Sequence, residues 1–184
     1  GAAVCGAELF YPDETLQHAG VITGLGGYAG HSHKYKKAGG SGYMFRAATV
    51  QDLSAVTGAC LLVKTAVYDE MHGLDEQFAV AFNDVDFCLR VRDAGYRIAW
   101  TPYAQLTHYE SKSRGGDEKD PVKAARFAAE QQRLYTIHGK ENILDDPYYN
   151  PNLTRDREDF SESDDLRRLK EGRVTVRFRG GTIQ

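Results

Sequence analysis

The chain opens on an apolar run. Residues 1–10 read GAAVCGAELF, a pattern that predicts a strand with no helix leading into it. Tyr11-Pro12-Asp13-Glu14 predicts a turn, and LQHAGVIT over 16–23 resumes the extended pattern, so the two runs predict a hairpin. Residues 24–46 are too rich in glycine to predict regular structure, and a loop of that length is usually functional or mobile. Order returns with SAVTGACLLVK over 54–64, where 59–63 is a continuous apolar run, the mark of a strand buried on both faces. A short helix is predicted over about 65–71, ended by Gly73.

Phe78-Ala79-Val80-Ala81-Phe82 leads into Asn83-Asp84-Val85-Asp86. Asn83 is of N-cap type, Val85, Cys88, Leu89 and Arg92 fall at helical spacing, and Gly95 supplies the stop. Ile98-Ala99-Trp100 predicts a short strand closed by Pro102, with a further extended segment to His108. Asp120 before Pro121 opens a long helix over about 122–138, with proline in its first turn. From Asn142 the composition turns polar, and 155–171 is dominated by charge. RVTVRFR over 173–179 alternates apolar and basic residues, which predicts an edge strand or an arm that pairs with another chain. Alternating strands and helices give an α/β class with part of the sheet parallel.

Composition narrows the function. The 184 residues are 41% hydrophobic and 27% charged, which excludes collagen, coiled coil and wholesale disorder. The net charge of −3 comes with no basic stripe, so nucleic acid is not an expected partner. No apolar run approaches the roughly 20 residues that span a bilayer, and no signal peptide is evident. Cys5, Cys60 and Cys88 form no CxxC pair, which argues against a zinc knuckle. Cys60 and Cys88 sit in apolar runs, where they are expected to pack as small hydrophobes in a reducing compartment, the cytoplasm.

The sharpest chemical feature is Asn83-Asp84-Val85-Asp86. One reading is electrostatic: acidic residues in a first turn complement the helix dipole, and Asp86 reaches back as a capping-box partner. The other is catalytic. Asp84 then stands at the mouth of a strand-to-helix turn, where the cleft of an open α/β sheet lies, and takes a proton from a sugar hydroxyl. His108 follows an apolar strand and precedes a polar loop, as either a structural histidine or a metal ligand. His31 and His33, in the glycine-rich loop, are either solvated or contacts for substrate phosphate.

Taken together, these strings resemble family 2 glycosyltransferases of the inverting GT-A type, in the bacterial rhamnosyltransferase-like branch. The resemblance runs from about Gly6 to Phe160. It rests on Leu9-Phe10-Tyr11-Pro12-Asp13, Gln17-His18-Ala19-Gly20, Gly26-Gly27-Tyr28-Ala29-Gly30-His31 and Ser54-Ala55-Val56-Thr57-Gly58-Ala59-Cys60. It continues through Phe82-Asn83-Asp84-Val85-Asp86-Phe87-Cys88-Leu89-Arg90, Ala94-Gly95-Tyr96-Arg97, Trp100-Thr101-Pro102, His108-Tyr109-Glu110-Ser111 and Pro147-Tyr148-Tyr149-Asn150-Pro151-Asn152-Leu153.

The resemblance implies a partial GT-A (nucleotide-diphospho-sugar transferase) fold, a mixed sheet flanked by helices, over 1–153, followed by a charged tail over 154–184. Asp84 inherits the catalytic-base role, with Asn83 in place of the family's commoner acid. Thr57 and Gly58 match the segment where the acceptor cleft meets the sheet, Asp86 and Arg90 either support the site from behind or bind on the acceptor side, and His108 matches a histidine that completes the metal site. The implied partners are a nucleotide sugar and a saccharide or lipid-linked acceptor. The implied cofactor is Mg²⁺ or Mn²⁺, stabilising the departing diphosphate in the full-length enzyme. The implied location is the cytoplasm or the inner face of the plasma membrane, in the synthesis of surface or cell-wall polysaccharide.

The family's nucleotide-binding half, with its metal-holding Asp-x-Asp, has no counterpart, because the one such string here is Asp84-Val85-Asp86. The expectation is an acceptor-side portion that alone neither binds nucleotide sugar tightly nor turns over, holds no metal, and self-associates through exposed sheet edges. Two other readings stand beside it. One is a hydrolase using Zn²⁺ or Mn²⁺ held by His31, His33, Asp84, Asp86 and His108. The other is a non-catalytic carbohydrate-binding module that uses some of its 11 tyrosines, 8 phenylalanines and one tryptophan as stacking platforms.

Overall fold

A computed structural model describes residues 1–109 and 120–164, together with the backbone of strands at 176–178 and 181–183. In chain order the elements are β1 (Val4–Phe10), β2 (Leu16–His18), β3 (Val21–Thr23), β4 (Ala29–His31), β5 (Gln51–Asp52), β6 (Leu61–Val63), α1 (Thr65–Glu70), α2 (Asn83–Asp93), β7 (Ile98–Thr107), α3 (Pro121–His138), α4 (Lys140–Leu144), β8 (Val176–Phe178) and β9 (Gly181–Ile183). Glu110 and Ser111, which close the His108 string, and most of the tail beyond 164 lie outside the described residues.

Strand β1 is the axis of a mixed sheet. One edge pairs in parallel with β7, from Val4↔Ile98 to Phe10↔Thr107. The other edge is shared, with β6 antiparallel along Val4 to Gly6 and β2 antiparallel along Leu9 and Phe10. Strand β5 pairs with the outer edge of β7. The α/β class and the β1–β2 hairpin are therefore present, and β1 is as buried as a strand flanked on both edges should be. Because β1 and β7 run parallel, their carboxyl ends finish side by side, and the His108 amide donates to the Phe10 carbonyl at 2.9 Å. That edge is where ligands meet open α/β sheets.

Four local expectations are corrected. Pro102 does not end its strand: β7 runs on to Thr107, because the ladder to β1 jumps from Ala7↔Thr101 to Glu8↔Gln105 and leaves Pro102 in a bulge that needs no donor. Strand β6 is not buried on both faces, since Leu62 is 75% exposed. The glycine-rich loop is partly regular. Gly24, Gly26 and Gly27 take positive φ angles, which fold a tight turn that sends β4 back along β3. Cys60 is half-buried; Cys88 alone of the pair is a core residue, and burial pushes its thiol up to about 12.

The core forms where α2, α3 and α4 cover the sheet. Val85, Phe87, Cys88, Leu89 and Val91 of α2 pack with Ile98, Trp100, Leu134 and Ile143. Trp100 donates its ring N–H to the Ala7 carbonyl at 3.1 Å, so the largest core side chain leaves no polar atom unpaired. Burying a ring of this kind contributes about 2–3 kcal/mol. Gly6 has no room for a side chain, since a Cβ there would lie 2.6 Å from Val56. Asp146 ties α4 to the rest, accepting from the Thr23 amide at 2.7 Å and the Ser54 hydroxyl at 2.9 Å. Asp120 caps α3 by accepting from the Val122 amide, as its place before Pro121 predicts. In the tail, Val176–Phe178 pairs with Gly181–Ile183 of the same chain. No described helix is long and apolar enough to cross a membrane.

Candidate active site

The site is built at the start of α2. Phe82, the residue before the helix, has φ 65°, a left-handed conformation that costs a non-glycine residue about 1 kcal/mol or more. Two groups hold it there. The Glu130 carboxylate, buried on α3, accepts from the Val80 amide at 3.2 Å and the Ala81 amide at 2.7 Å. The Phe82 ring packs on Tyr28 and Phe127, with centroids 5.6 and 5.1 Å away. The cap position therefore falls to Phe82, with no side-chain cap, and Asn83 is the first helical residue instead of the cap its type predicts.

Asp84 follows in the first turn, half-buried. Its Oδ2 accepts from the Gly58 amide at 2.7 Å, and its Oδ1 from the Val85 amide at 2.8 Å. A Cβ on Gly58 would lie 3.3 Å from the Asp84 Cβ, so the two segments touch at a residue with no side chain. Gly58 is exposed, which places the carboxylate at the solvent boundary. Thr57 is fixed just behind: its amide faces His18 Nε2 at 3.4 Å, and its hydroxyl accepts from the Ala59 amide at 3.3 Å. Consecutive amides, Thr57 and Gly58, are thus held by His18 and Asp84. The structure brings together Asp84, Asn83, Thr57 and Gly58.

Asp86 points the other way. It is 1% exposed and accepts from Arg90 Nε at 2.9 Å and from His138 Nε2 at 2.8 Å. Arg90 also donates to the carbonyls of Met71 and Gly73, which ties α2 to the end of α1. The resemblance put both residues on the acceptor side or in support behind it, and the spacing gave Asp86 a capping duty. The structure commits both to internal pairs, because the Arg90 guanidinium and the His138 ring N–H together compete for Asp86 more strongly than a single backbone amide does.

The loop histidines also separate. His31 Nδ1 lies 3.0 Å from His18 Nδ1. Since His18 Nε2 faces an amide donor, the proton of neutral His18 is assigned to Nδ1, pointing at His31, and that of His31 to Nε2. His18 is fully buried, and burial beside His31 holds its pKa well below the usual value. His33 is not solvated. It is 1% exposed, contacts the Ser32 hydroxyl, accepts from the Tyr43 amide at 3.1 Å, and packs against Phe160.

His108 sits at the carboxyl edge of the sheet with Nδ1 2.8 Å from the Gln17 side-chain oxygen, and Gln17 in turn donates to the His108 carbonyl. A metal-binding imidazole is often oriented this way, with one ring nitrogen on an acceptor and the other left as ligand. Yet among the described residues no three His, Cys, Asp or Glu side chains stand close enough together to hold a metal ion. One such ligand does not make a metal site, and the five-residue hydrolase grouping is not assembled either. Sequence reasoning gave no role to Gln17, His18, Glu130 or His138. Gln17-His18 stood inside a quoted string, whereas Glu130 and His138 carry no signal before α3 is folded onto α2.

Comparison with known proteins adds the relationship. The chain is 48% identical over 161 residues, 87% of its length, to a Sinorhizobium fredii protein named only as uncharacterized. It is 33% identical over 150 residues to the O-antigen biosynthesis protein RfbC of Myxococcus xanthus. It is 31% identical over 80 residues, 44% of its length, to an N-acetylglucosaminyl-diphospho-decaprenol L-rhamnosyltransferase of Mycobacterium tuberculosis. These alignments cover 18%, 11% and 24% of the relatives, so the chain spans less than a quarter of each. No family model and no solved structure matches. What the alignments establish for this α/β chain is a glycosyltransferase-like relationship.

Proposed function

We propose that this chain carries the acceptor side of an inverting glycosyltransferase of the GT-A, family 2 type, with Asp84 as the base. The observation that carries the reading is the Asp84 carboxylate at the first turn of α2, held by the Gly58 amide at the solvent boundary. In the proposed reaction an acceptor hydroxyl attacks the anomeric carbon of a nucleotide sugar. Asp84 takes the hydroxyl proton, the new C–O bond forms on the opposite face, and the bond to the diphosphate breaks with its electron pair leaving on the nucleotide. Gly58 and Val85 amides fix the carboxylate, so little orientation remains to be lost when the acceptor arrives.

The reading includes a nucleotide-sugar donor, a saccharide or lipid-linked acceptor, and bacterial surface or cell-wall polysaccharide as the product, made on the cytoplasmic side of the membrane. The names of the M. xanthus and M. tuberculosis relatives support that setting. Mg²⁺ or Mn²⁺ would stabilise the departing diphosphate in the full-length enzyme. The described residues do not assemble its site, so no step above runs through it.

The test is Asp84→Asn in the gene's full-length product. The amide oxygen of asparagine still accepts from Gly58, so the fold should hold while sugar transfer falls about 10²- to 10⁴-fold. Transfer at the wild-type rate would remove Asp84 from the chemistry and leave a carbohydrate-binding module as the better reading.

A further inference from the structure

A cavity of about 530 Å³ opens between the glycine-rich loop and residues 155–158. Small-molecule sites fall at about 300–1,000 Å³. Leu25 and Tyr28 supply an apolar side, while Lys34, Arg155 and Arg157 face Asp156 and Glu158, and Arg155 is also paired with Asp145 at 3.4 Å. The charges do not add to an anion trap. Arg157 is already engaged by Asp159 at 3.5 Å and by the Ser161 hydroxyl at 2.8 Å, and Glu158 brings a carboxyl to the same wall. Gly30 lies against the wall, since a Cβ there would lie 2.9 Å from Leu25 Cβ and 3.3 Å from Glu158 Oε1.

An apolar wall facing mixed donors and acceptors, without a dominant charge, suits a neutral pyranose. Its C–H face lies on the aromatic and aliphatic side chains, and its hydroxyls both donate and accept. The cavity is also wired to the candidate base. His31 on its wall meets His18 at 3.0 Å, His18 faces the Thr57 amide, and the next amide, Gly58, holds Asp84. We propose that this cavity binds a non-reacting, neutral sugar unit of the acceptor saccharide. The word acceptor rests on the function proposed above; the binding of a neutral sugar does not. Binding energy gathered there, away from the reacting hydroxyl, would orient the acceptor before transfer.

The test is an amide-resolved NMR titration of the ¹⁵N-labelled 184-residue chain. The probes are the methyl glycosides of rhamnose, glucose, galactose, mannose and N-acetylglucosamine, with inorganic phosphate as the anion control. At least one sugar is expected to shift the amides of Gly26, Gly30 and His31 with millimolar affinity. Glu158→Gln and Lys34→Ala, each checked for a folded spectrum, should weaken it at least tenfold, and Tyr103→Ala, at an exposed position outside the cavity wall, should leave it unchanged. Silence from all five sugars, shifts from phosphate alone, or affinity indifferent to both wall variants would overturn the proposal. Sugar binding that persists while Asp84→Asn leaves transfer intact would sink the proposed chemistry and spare the cavity.

Discussion

His138 donates from Nε2 to Oδ1 of Asp86 across 2.8 Å, and both side chains are buried. The contact joins α3 to the first turn of α2. It also divides the work of two carboxylates that stand two residues apart: Asp86 is spent inside the protein, and Asp84 is left at the boundary on the Gly58 amide. Each acidic residue of the string therefore has its own test.

Asp86→Ala should destabilise the chain by about 1–3 kcal/mol, because it leaves the buried His138 donor without its acceptor, while half-buried Arg90 keeps the Met71 and Gly73 carbonyls. Urea denaturation followed by tryptophan fluorescence measures this, Trp100 being the one tryptophan. A loss no larger than that of Asp84→Asn would show that the buried pair does not hold the helices together.

Gly58→Ala should separate stability from activity. The new Cβ would sit 3.3 Å from the Asp84 Cβ and 3.6 Å from Oδ2, so the carboxylate must give by a few tenths of an ångström. The fold should lose about 1 kcal/mol or less, since Gly58 is exposed and needs no positive φ. Transfer by the full-length product should fall at least tenfold, a rate and stability pair read by sugar-transfer assay and thermal melting. Equal transfer in variant and wild type would mean that the Gly58–Asp84 approach does not matter to the chemistry.

Glu130→Ala removes the acceptor for two amides that hold the chain ahead of Phe82. The expected cost is about 2–6 kcal/mol, at about 1–3 kcal/mol for each amide left without a partner. Amide hydrogen exchange at Val80 and Ala81 should quicken well before exchange in β1 does. Unchanged exchange at those two amides would show that the left-handed Phe82 is held by packing alone.

Burial pushes His33 down from about 6.5 to about 4, with the charges of Arg46 and Lys36 acting in the same direction. Above pH 6.5 both folded and unfolded states keep this ring neutral, and its contribution is fully present. As pH falls from 6.5 toward 4, the unfolded chain takes up a proton that the folded chain refuses, so stability is lost over that window, by about 3 kcal/mol. Buried His18 adds to the same trend. His33→Gln, which can still accept from the Tyr43 amide, should lose less stability than wild type between pH 7 and pH 4.5. Parallel urea profiles for the two proteins would contradict this.

Much of the architecture was readable before folding. The apolar runs at 1–10, 16–23 and 98–100 marked β1, the segment of β2 and β3, and the start of β7, and the Asp120-Pro121 pair marked the start of α3, because those signals are local. The readings that failed were those in which a distant partner overrides a local preference. Pro102 looked like a stop only until the bulge opposite Ala7 and Glu8 removed the need for its donor. Asn83 looked like a cap only until Glu130 and the aromatic cluster forced Phe82 into that position.

The sequence by itself determined that a carboxylate pair opens a helix in an α/β chain, and which strings surround it. Only the tertiary structure decided which carboxylate is spent and which stands at the solvent boundary, since that depends on His138 and Gly58, which are far apart along the chain and meet Asp86 and Asp84 through space. Likewise, spacing set His31 two residues from His33, but packing sent one to His18 and the other to Tyr43, because a buried imidazole must find partners wherever the fold supplies them.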